Sequence, residues 1–489
     1  QLIRRDLYTS NFRGDEMKKV SKLGVFLLLF VIQFIIITNV LAYKREAALS
    51  RCFYSYEKNS MDVVFFGTSK VYANINPCVL WQEYGISSFD FAGSSKPMWN
   101  TYYDIVETLK RQKPQLIVVD VYGVFGEGEY SSTEYAIEHV MGLQMSLNKW
   151  RDIKASVDED KRMDFLFHYP IYHSRYNIVS EYDYRYCFGR THPRYLPGTI
   201  MRYNTEPQTP EIDVGEIIEK TELAEKQYIY LCKIIEMCKS KDIDLLLINA
   251  PCCMNKEVQM KINSAWEIAE EYGVPYLDFN IMYEEVGINF EEDFSDSGHL
   301  NYKGSEKYTR WLGEYLSNQY TWKDKSSGFD GTMWEKSAEY YYATIADIEM
   351  AKVNNLSTYL TELSESDGAF VYMVSVRKGG CGEQLEKHLR EAGVSEITIL
   401  DGGTCVIDES ECIFDSLGND TFHQVIEMNN NYFEVKKDEN SAEQLIYNGK
   451  NYKTNVDGVS IIVYDKITES FVNSVAFDAQ DTNKRYMEE

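Results

Sequence analysis

The sequence predicts an α/β chain. Its main body is a three-layer, doubly wound parallel sheet, with an N-terminal transmembrane helix before it and a smaller C-terminal α+β domain after it. Three observations carry this expectation. Short apolar runs alternate with amphipathic stretches between residues 61 and 320. The segment Leu23 to Ala42 is apolar and free of charge. A second series of short strands and helices follows residue 336.

The predicted strands of the main body are Asp62 to Phe66, Ser88 to Phe91, Leu116 to Asp120, Asp244 to Asn249 and Pro275 to Asp278. Near-continuous apolar runs with helices between them mark strands buried on both faces of a parallel sheet. Residues 100–112 and 221–240 read as helices, the second carrying Leu223, Tyr230, Ile234 and Met237 at helical spacing. Residues 142–220 interrupt the alternation with a Tyr-, His-, Arg- and Pro-rich insertion. Insertions of this length in a compact domain are usually functional or mobile.

Leu23 to Ala42 decides the compartment. Twenty helical residues span about 30 Å, the thickness of the bilayer hydrocarbon. Arg4, Arg5, Arg13, Lys18, Lys19 and Lys22 precede it. The positive-inside rule therefore puts the N-terminus in the cytoplasm and the rest outside. Met17, followed by Lys-Lys-Val-Ser-Lys, reads as a translation start. A cleaved signal peptide is the alternative, since Val40-Leu41-Ala42 resembles a cleavage site. The length of the run favours an uncleaved anchor. The organisation expected is a cytoplasmic N-terminus (1–22), an anchor (23–42), a polar connector (43–60), the α/β domain (61–320), a linker (321–336) and a C-terminal domain (337–489).

The chain has 489 residues, which suits two folded domains. Its net charge of −26 argues against nucleic acid, which needs a basic footprint. The ten cysteines form no Cys-x-x-Cys pair, so zinc and thioredoxin-like chemistry find no support. Cys405 and Cys412 are close enough in sequence to bridge; free thiols in a reducing niche are the alternative.

The first strand runs into Phe66-Gly67-Thr68-Ser69-Lys70. A serine in such a turn lies at the carboxyl end of the sheet, where open α/β sheets place reactive groups. The helix start that follows offers backbone N–H groups to a developing oxyanion. Far downstream stands Asp296-Ser-Gly-His299-Leu-Asn-Tyr-Lys-Gly304. A nucleophilic serine needs a base, and the base needs an orienting carboxylate. An Asp three residues before a His supplies both from one loop. Asp293 is the alternative orienter.

Together these segments resemble the SGNH/GDSL hydrolase superfamily. Gly67-Thr68-Ser69 matches its nucleophile turn, Asp296 and His299 its Asp-x-x-His block, and Gly93 in Phe91-Ala-Gly-Ser-Ser95 its oxyanion glycine. The Gly-x-Asn-Asp block is missing; the third strand runs into Val121-Tyr122-Gly123-Val124-Phe125 instead. The resemblance implies a catalytic triad of Ser69, Asp296 and His299, with oxyanion donors from the Ser69 and Gly93 N–H groups. The third donor is open, Asn249 and Tyr122 being candidates at strand ends. No metal or organic cofactor is implied.

The Thr at the second position of the turn, the anchor and the His-Leu-Asn-Tyr-Lys-Gly tail look more like one subgroup. It contains the proteins of lipoteichoic-acid D-alanyl transfer and of alginate-type O-acetylation. That likeness implies an extracytoplasmic acyltransferase working beside a membrane-bound O-acyltransferase on a cell-surface glycopolymer. A carbohydrate deacylase and a non-catalytic glycan-binding scaffold are the alternatives. Tyr122, and His173 and Arg175 in the insertion beside His168 and Ser174, are the candidate substrate contacts. An amphipathic helix packed on the sheet edge is the other reading of that stretch.

The C-terminal region resembles the interleukin-like EMT-inducer domain through Ile446 to Tyr452, Gly458 to Asp465 and Asn473 to Asp478. The resemblance implies an auxiliary glycan-binding role, with a structural or docking role as the alternative. The topology is testable directly. Protease added to intact protoplasts is expected to digest residues 43–489, and full protection would exclude an extracytoplasmic domain.

Overall fold

A computed structural model gives the fold. It describes residues 2–42, 44–167, 169–187, 196–210, 212–322, 329–366, 368–377, 383–417, 421–429, 431–439, 443–452, 458–478, 483 and 485–487. The chain forms two compact units, Gln1–Ser337 and Ala338–Glu489.

The first unit opens with helices α1 (Leu2–Leu41) and α2 (Lys44–Ser55). Within α1, Ser21–Leu41 is long and apolar enough to cross a membrane. Then come β1 (Val63–Gly67), α3 (Ser69–Asn74), α4 (Pro77–Tyr84), β2 (Ser88–Ala92), α5 (Met98–Thr108) and β3 (Leu116–Asp120). Helix α6 (Thr133–Val140) precedes the insertion, which contributes four short α-helices among the described residues: α7 (Leu147–Ser156), α8 (Arg162–Phe167), α9 (Tyr169–Tyr172) and α10 (Glu181–Cys187). The sheet resumes through α11 (Glu225–Ser240), β4 (Asp244–Asn249), α12 (Lys256–Tyr272) and β5 (Tyr276–Asp278). After α13 (Tyr283–Val286), the strands β6 (Phe294–Asp296) and β7 (His299–Leu300) form a small antiparallel pair before α14 (Tyr302–Gln319).

The five strands β1–β5 are all parallel, in the order β2-β1-β3-β4-β5. This is the doubly wound order with its switch point between β1 and β3, the crevice where such sheets take ligands. The alternation of β1 shows the three layers. Val64 and Phe66 pack with Ile105 of α5, Ile234 of α11 and Ile262 of α12. Val63 and Phe65 pack with Val71 of α3, Leu80 of α4 and Leu312 of α14.

Residues 43–60 are not merely a polar connector. Phe53 and Tyr56 are fully buried, Phe53 stacked on Phe91 at 5.0 Å and Tyr56 edge-on to Phe89 at 5.6 Å. Trp334, within the expected linker, is buried as well. It lies 4.6 Å from the Tyr56 ring and donates its indole N–H to the Ser88 carbonyl at 2.8 Å. Apolar area buried on the outside of β2 outweighs the freedom of a loop at both places.

The second unit is α+β. Helix α15 (Thr332–Met350) begins before it and α16 (Leu356–Glu365) follows. Strand β8 (Phe370–Val376), helices α17 (Glu383–Glu391) and α18 (Glu396–Asp401), and strands β9 (Gly403–Asp408) and β10 (Glu411–Asp415) come next. Then come β11 (Phe422–Met428), β12 (Asn431–Lys437), β13 (Gln444–Tyr447), β14 (Lys450–Asn451), β15 (Gly458–Asp465), β16 (Ser470–Asp478) and β17 (Arg485–Met487). Six strands pair as β10-β9-β8-β15-β16-β17 and four as β11-β12-β13-β14. One face of β8 (Phe370, Tyr372, Val374) packs on Leu360 of α16 and Leu389 of α17. The other (Val371, Met373) packs on Phe433 and Leu445 of the smaller sheet. β15 and β16 pair antiparallel as a hairpin.

Ser395 to Leu400 carries two isoleucines and a threonine, residue types common in strands, yet it forms the cap and most of α18. Ser395 caps it, its hydroxyl accepting from Thr398 N–H at 3.1 Å. A side-chain cap satisfies backbone groups that a strand would need to pair.

Replacing Trp334 by Ala is expected to destabilise the first unit by about 3–5 kcal/mol, the usual range for emptying a large aromatic site. Denaturant unfolding of the full chain measures this. An unchanged midpoint would mean that residues 329–337 do not belong to its core.

Candidate active site

Ser69 is the first residue of α3, just past the carboxyl end of β1. Gly67 sits at φ +146°, and a Cβ there would lie 2.7 Å from Asp120 Cβ, so only glycine fits the turn. Thr68 caps α3. Its hydroxyl accepts from Lys70 N–H at 3.4 Å and donates to Asp120 Oδ2 at 3.0 Å. Asp120 Oδ1 accepts from Ala250 N–H at 3.2 Å. One buried carboxyl at the end of β3 thus ties the serine turn to the end of β4. Burial pushes its pKa up, against the pull of Lys70 and these donors.

Asp296 and His299 stand opposite each other at the turn between β6 and β7. His299 Nδ1 lies 2.8 Å from Asp296 Oδ1, and Nε2 lies 2.7 Å from Ser69 Oγ. With Nδ1–H donating to the carboxylate, Nε2 is left to accept the serine proton. The Gly298 N–H also donates to Asp296 Oδ1, at 2.8 Å. Asn301 then caps α14, its Oδ1 accepting from Lys303 and Gly304 N–H at 3.0 and 3.2 Å. Gly304 packs on Asp293, where a Cβ would meet the carbonyl at 2.4 Å. These contacts account for the Asn and Gly of the His-Leu-Asn-Tyr-Lys-Gly stretch. Asp293, the alternative orienter, is engaged elsewhere: Oδ2 accepts from Lys307 Nζ and Asn289 N–H, both at 2.7 Å.

Three residues of the site escape a sequence reading. Lys70 is buried, donates from Nζ to the Gly298 carbonyl at 3.1 Å, and sits 4.0 Å from the Tyr122 ring centroid. Asn74, also in α3, accepts from Leu300 N–H at 3.0 Å and donates to the Pro251 carbonyl at 2.8 Å. Arg202 pairs with the other oxygen of Asp296 at 2.8 Å. Arg202 belongs to an extended segment, 196–210, that has no periodicity to read.

The other expected donors are differently employed. Gly93 N–H donates to the Gly67 carbonyl at 3.1 Å, extending the β1–β2 ladder one residue, so the ladder takes the proton that an oxyanion would need. Gly93 is also hemmed in, a Cβ there meeting Lys96 at 2.7 Å and His139 at 2.9 Å. Ser94 N–H is taken by Glu138 at 2.7 Å. Asn249 Nδ2 donates to Asp278 Oδ1 at 2.8 Å, because the last side chain of β4 meets its neighbour on β5. Ser69 N–H remains at the first position of α3, where helix N–H groups have no intrahelical acceptor.

Tyr122 reaches the site through Lys70. His173 and Arg175 are held at the end of α1 instead. Arg175 donates to the carbonyls of Leu41 and Ala42, and His173 Nδ1 lies 2.8 Å from the Pro170 carbonyl. His168 lies outside the described residues.

The electrostatics suit a base. Burial lowers the His299 pKa, the Asp296 carboxylate raises it, and Arg202 and Lys70 lower it again; the net shift is downward from 6.5. Burial would raise Asp296, but hydrogen bonds from His299 and Gly298 and the Arg202 charge hold it below the usual carboxylate value.

No family model and no curated protein matches the sequence. The chain is similar in part to solved structures. One is described as a lipolytic protein of the G-D-S-L family from Desulfitobacterium hafniense, at 14% identity and a TM-score of 0.28, covering 53% of this chain and 100% of that one. Another is described as an acylhydrolase from Bacteroides fragilis, at 11% identity and a TM-score of 0.27, covering 55% of this chain and 94% of that one.

A base must be neutral to take a proton, so activity is expected to fall as pH drops through the His299 pKa, below 6.5. Arg202→Met removes a cation that disfavours imidazolium, so the acid limb of kcat/KM should move to higher pH. A limb that stays in place would show that Arg202 does not bear on His299.

Proposed function

We propose that this chain is an extracytoplasmic serine acyl-transfer enzyme of the SGNH type, anchored in the cell membrane by α1. The observation that carries the reading is the unbroken hydrogen-bond chain from Asp296 through His299 to Ser69, at 2.8 and 2.7 Å. Ser69 Oγ attacks the acyl carbonyl while its proton passes to His299 Nε2. The C–O bond to the donor alcohol breaks, and that proton leaves with the alcohol. His299 next takes a proton from the acceptor hydroxyl, which attacks the acyl carbon; the bond from that carbon to Ser69 Oγ breaks and His299 returns the proton to Oγ. Asp296 holds the imidazole and offsets its charge, and Ser69 N–H serves as one oxyanion donor.

The proposed acceptor is a hydroxyl of a cell-surface polysaccharide or teichoic-acid-type polymer. The proposed supplier of acyl groups is a membrane-bound O-acyltransferase. The proposed role of the second unit is glycan binding. These points rest on the resemblance to the D-alanyl-transfer and O-acetylation proteins. A second reading, a carbohydrate deacylase, is favoured by one observation. A transferase must keep water from its acyl-enzyme, and the helices α8–α10 of the Tyr-rich insertion are packed on the end of α1.

A fluorophosphonate probe is expected to label the chain at Ser69 and to leave Ser69→Ala unlabelled. That variant should lose about 10⁴- to 10⁶-fold in turnover without unfolding. Absence of labelling in the folded chain would favour the scaffold reading. Mass spectrometry of polymer incubated with an acyl donor separates the rest: gain of acyl groups supports transfer, and loss alone supports the deacylase.

A further inference from the structure

The insertion carries a feature that the proposed chemistry leaves unused. Helices α8, α9 and α10 gather around the carboxyl end of α1. Leu41 lies in a small core with Phe165, Tyr172 and Val140, flanked by Ile171 and Val179. The Arg175 guanidinium donates to the last carbonyls of α1, reaching Ala42 O at 2.9 Å, and pairs with Asp183 at 3.4 Å. A cation suits that end of a helix, where the macrodipole is negative and carbonyls lack partners.

These contacts reach down the apolar span. The Tyr169 ring lies 5.6 Å from that of Phe34. Phe34 is seven residues before Leu41, about 10 Å along the helix axis. Tyr169 therefore stands at the level of the outer third of the span rather than above it. The same stretch exposes a set of large apolar side chains: Met163 (51%), Tyr169 (41%), Tyr176 (76%), Ile178 (56%) and Tyr184 (52%). Such exposure is unfavourable in water and favourable at a bilayer boundary, where tyrosines concentrate. The exposed Arg185–Glu181 pair of α10 keeps that helix at the headgroup level.

We infer that residues 162–167 and 169–187 form a collar seated at the boundary between the outer headgroup layer and the hydrocarbon of the membrane that α1 crosses. The chain then meets the bilayer at two places, the span and the collar. This rests on the reading of α1 as a membrane span. The collar fixes the tilt and height of the first unit at the lipid surface, where a single helix on a loose connector would leave both free. Lipid is the occupant favoured because the patch is continuous with the span and shares its level through Phe34.

The full chain, reconstituted alone in phosphatidylcholine vesicles, tests this with lipids brominated either near the ester or near the methyl end. The parent chain's own tryptophan emission is subtracted. Tyr176→Trp and Ile178→Trp are expected to lose most of their added emission to the ester-end bromines. Ile32→Trp, within the span, is expected to respond chiefly to methyl-end bromines. If Ile32→Trp is quenched and both collar variants are not, the collar inference falls and the span stands; a protein partner covering this face would give that result. If Ile32→Trp is unquenched by either lipid, the span reading fails and the collar with it. Retained fluorophosphonate labelling of Ser69 confirms that each variant is folded.

Discussion

Lys70 Nζ donates to the Gly298 carbonyl at 3.1 Å, and Asn74 Oδ1 accepts from Leu300 N–H at 3.0 Å. Both side chains belong to α3, the helix that begins at Ser69, and both grip the pair of strands that carries His299. Ser69 and His299 are 230 residues apart in the chain, yet their reacting atoms must meet within a few tenths of an ångström. A misplacement of about 1 Å can cost on the order of 10²-fold in rate. The two grips bracket His299, one on the residue before it and one on the residue after. Lys70 is only 3% exposed, so its loss would leave a carbonyl unpaired in a dry site, a cost of about 1–3 kcal/mol. The helix that presents Ser69 therefore also sets the position of His299.

A second constraint comes from the extended segment 196–210. Thr199 Oγ1 donates to the Tyr72 carbonyl at 2.7 Å, and Ile200 N–H to the same carbonyl at 2.7 Å. Further on, the Arg202 carbonyl accepts from Tyr302 N–H at 2.8 Å, Asn204 Nδ2 reaches the Ser295 carbonyl at 2.9 Å, and Glu206 N–H the Phe294 carbonyl at 2.9 Å. The strap is thus bonded to the nucleophile helix at one end and to the Asp296 strand at the other. Arg202 adds charge to this frame. It neutralises the Asp296 oxygen that His299 does not use, and it opposes protonation of His299.

The parallel sheet was legible because its strands are buried on both faces and read as apolar runs. The meeting of Ser69, His299 and Asp296 was legible because Gly67-Thr68-Ser69 and Asp296-x-x-His299 are short, local patterns whose spacing has a geometric meaning. What supports that arrangement was not. Lys70 and Asn74 lie on a six-residue helix too short to show a period, and the strap has no secondary structure at all. Gly93 follows β2 at the carboxyl end of the sheet, but whether its backbone N–H is free depends on how far the β1–β2 ladder runs, which no residue type reveals. Arg175 lies in a polar, aromatic insertion, a setting that suggests a substrate contact. Its partners are carbonyls at the end of a helix 133 and 134 residues earlier, a pairing that only tertiary structure makes. Phe53 and Trp334 show the converse error, since composition marks their surroundings as polar while single large side chains decide the packing.

Packing of the insertion on α1 also bears on how the proposed acyl-enzyme would choose its acceptor. Water outnumbers any sugar hydroxyl, so transfer requires an acceptor held in place and water kept away. The helices α8–α10 are occupied at the end of α1, and the strap 196–210 is left as the part of the insertion bonded to the triad's frame. Exclusion of water by a thick aromatic lid is therefore not what the described residues provide. Under the proposed reading, selectivity falls to acceptor binding and to geometry at the membrane. An anchored site meets membrane-bound donors and surface polymers at an effective concentration set by its tether, and a short, stiff tether raises it. Arg175, by bonding the insertion to the end of α1, would supply that stiffness under the proposed reading, and a residue outside the proposed chemistry would then contribute to which acceptor the acyl group reaches.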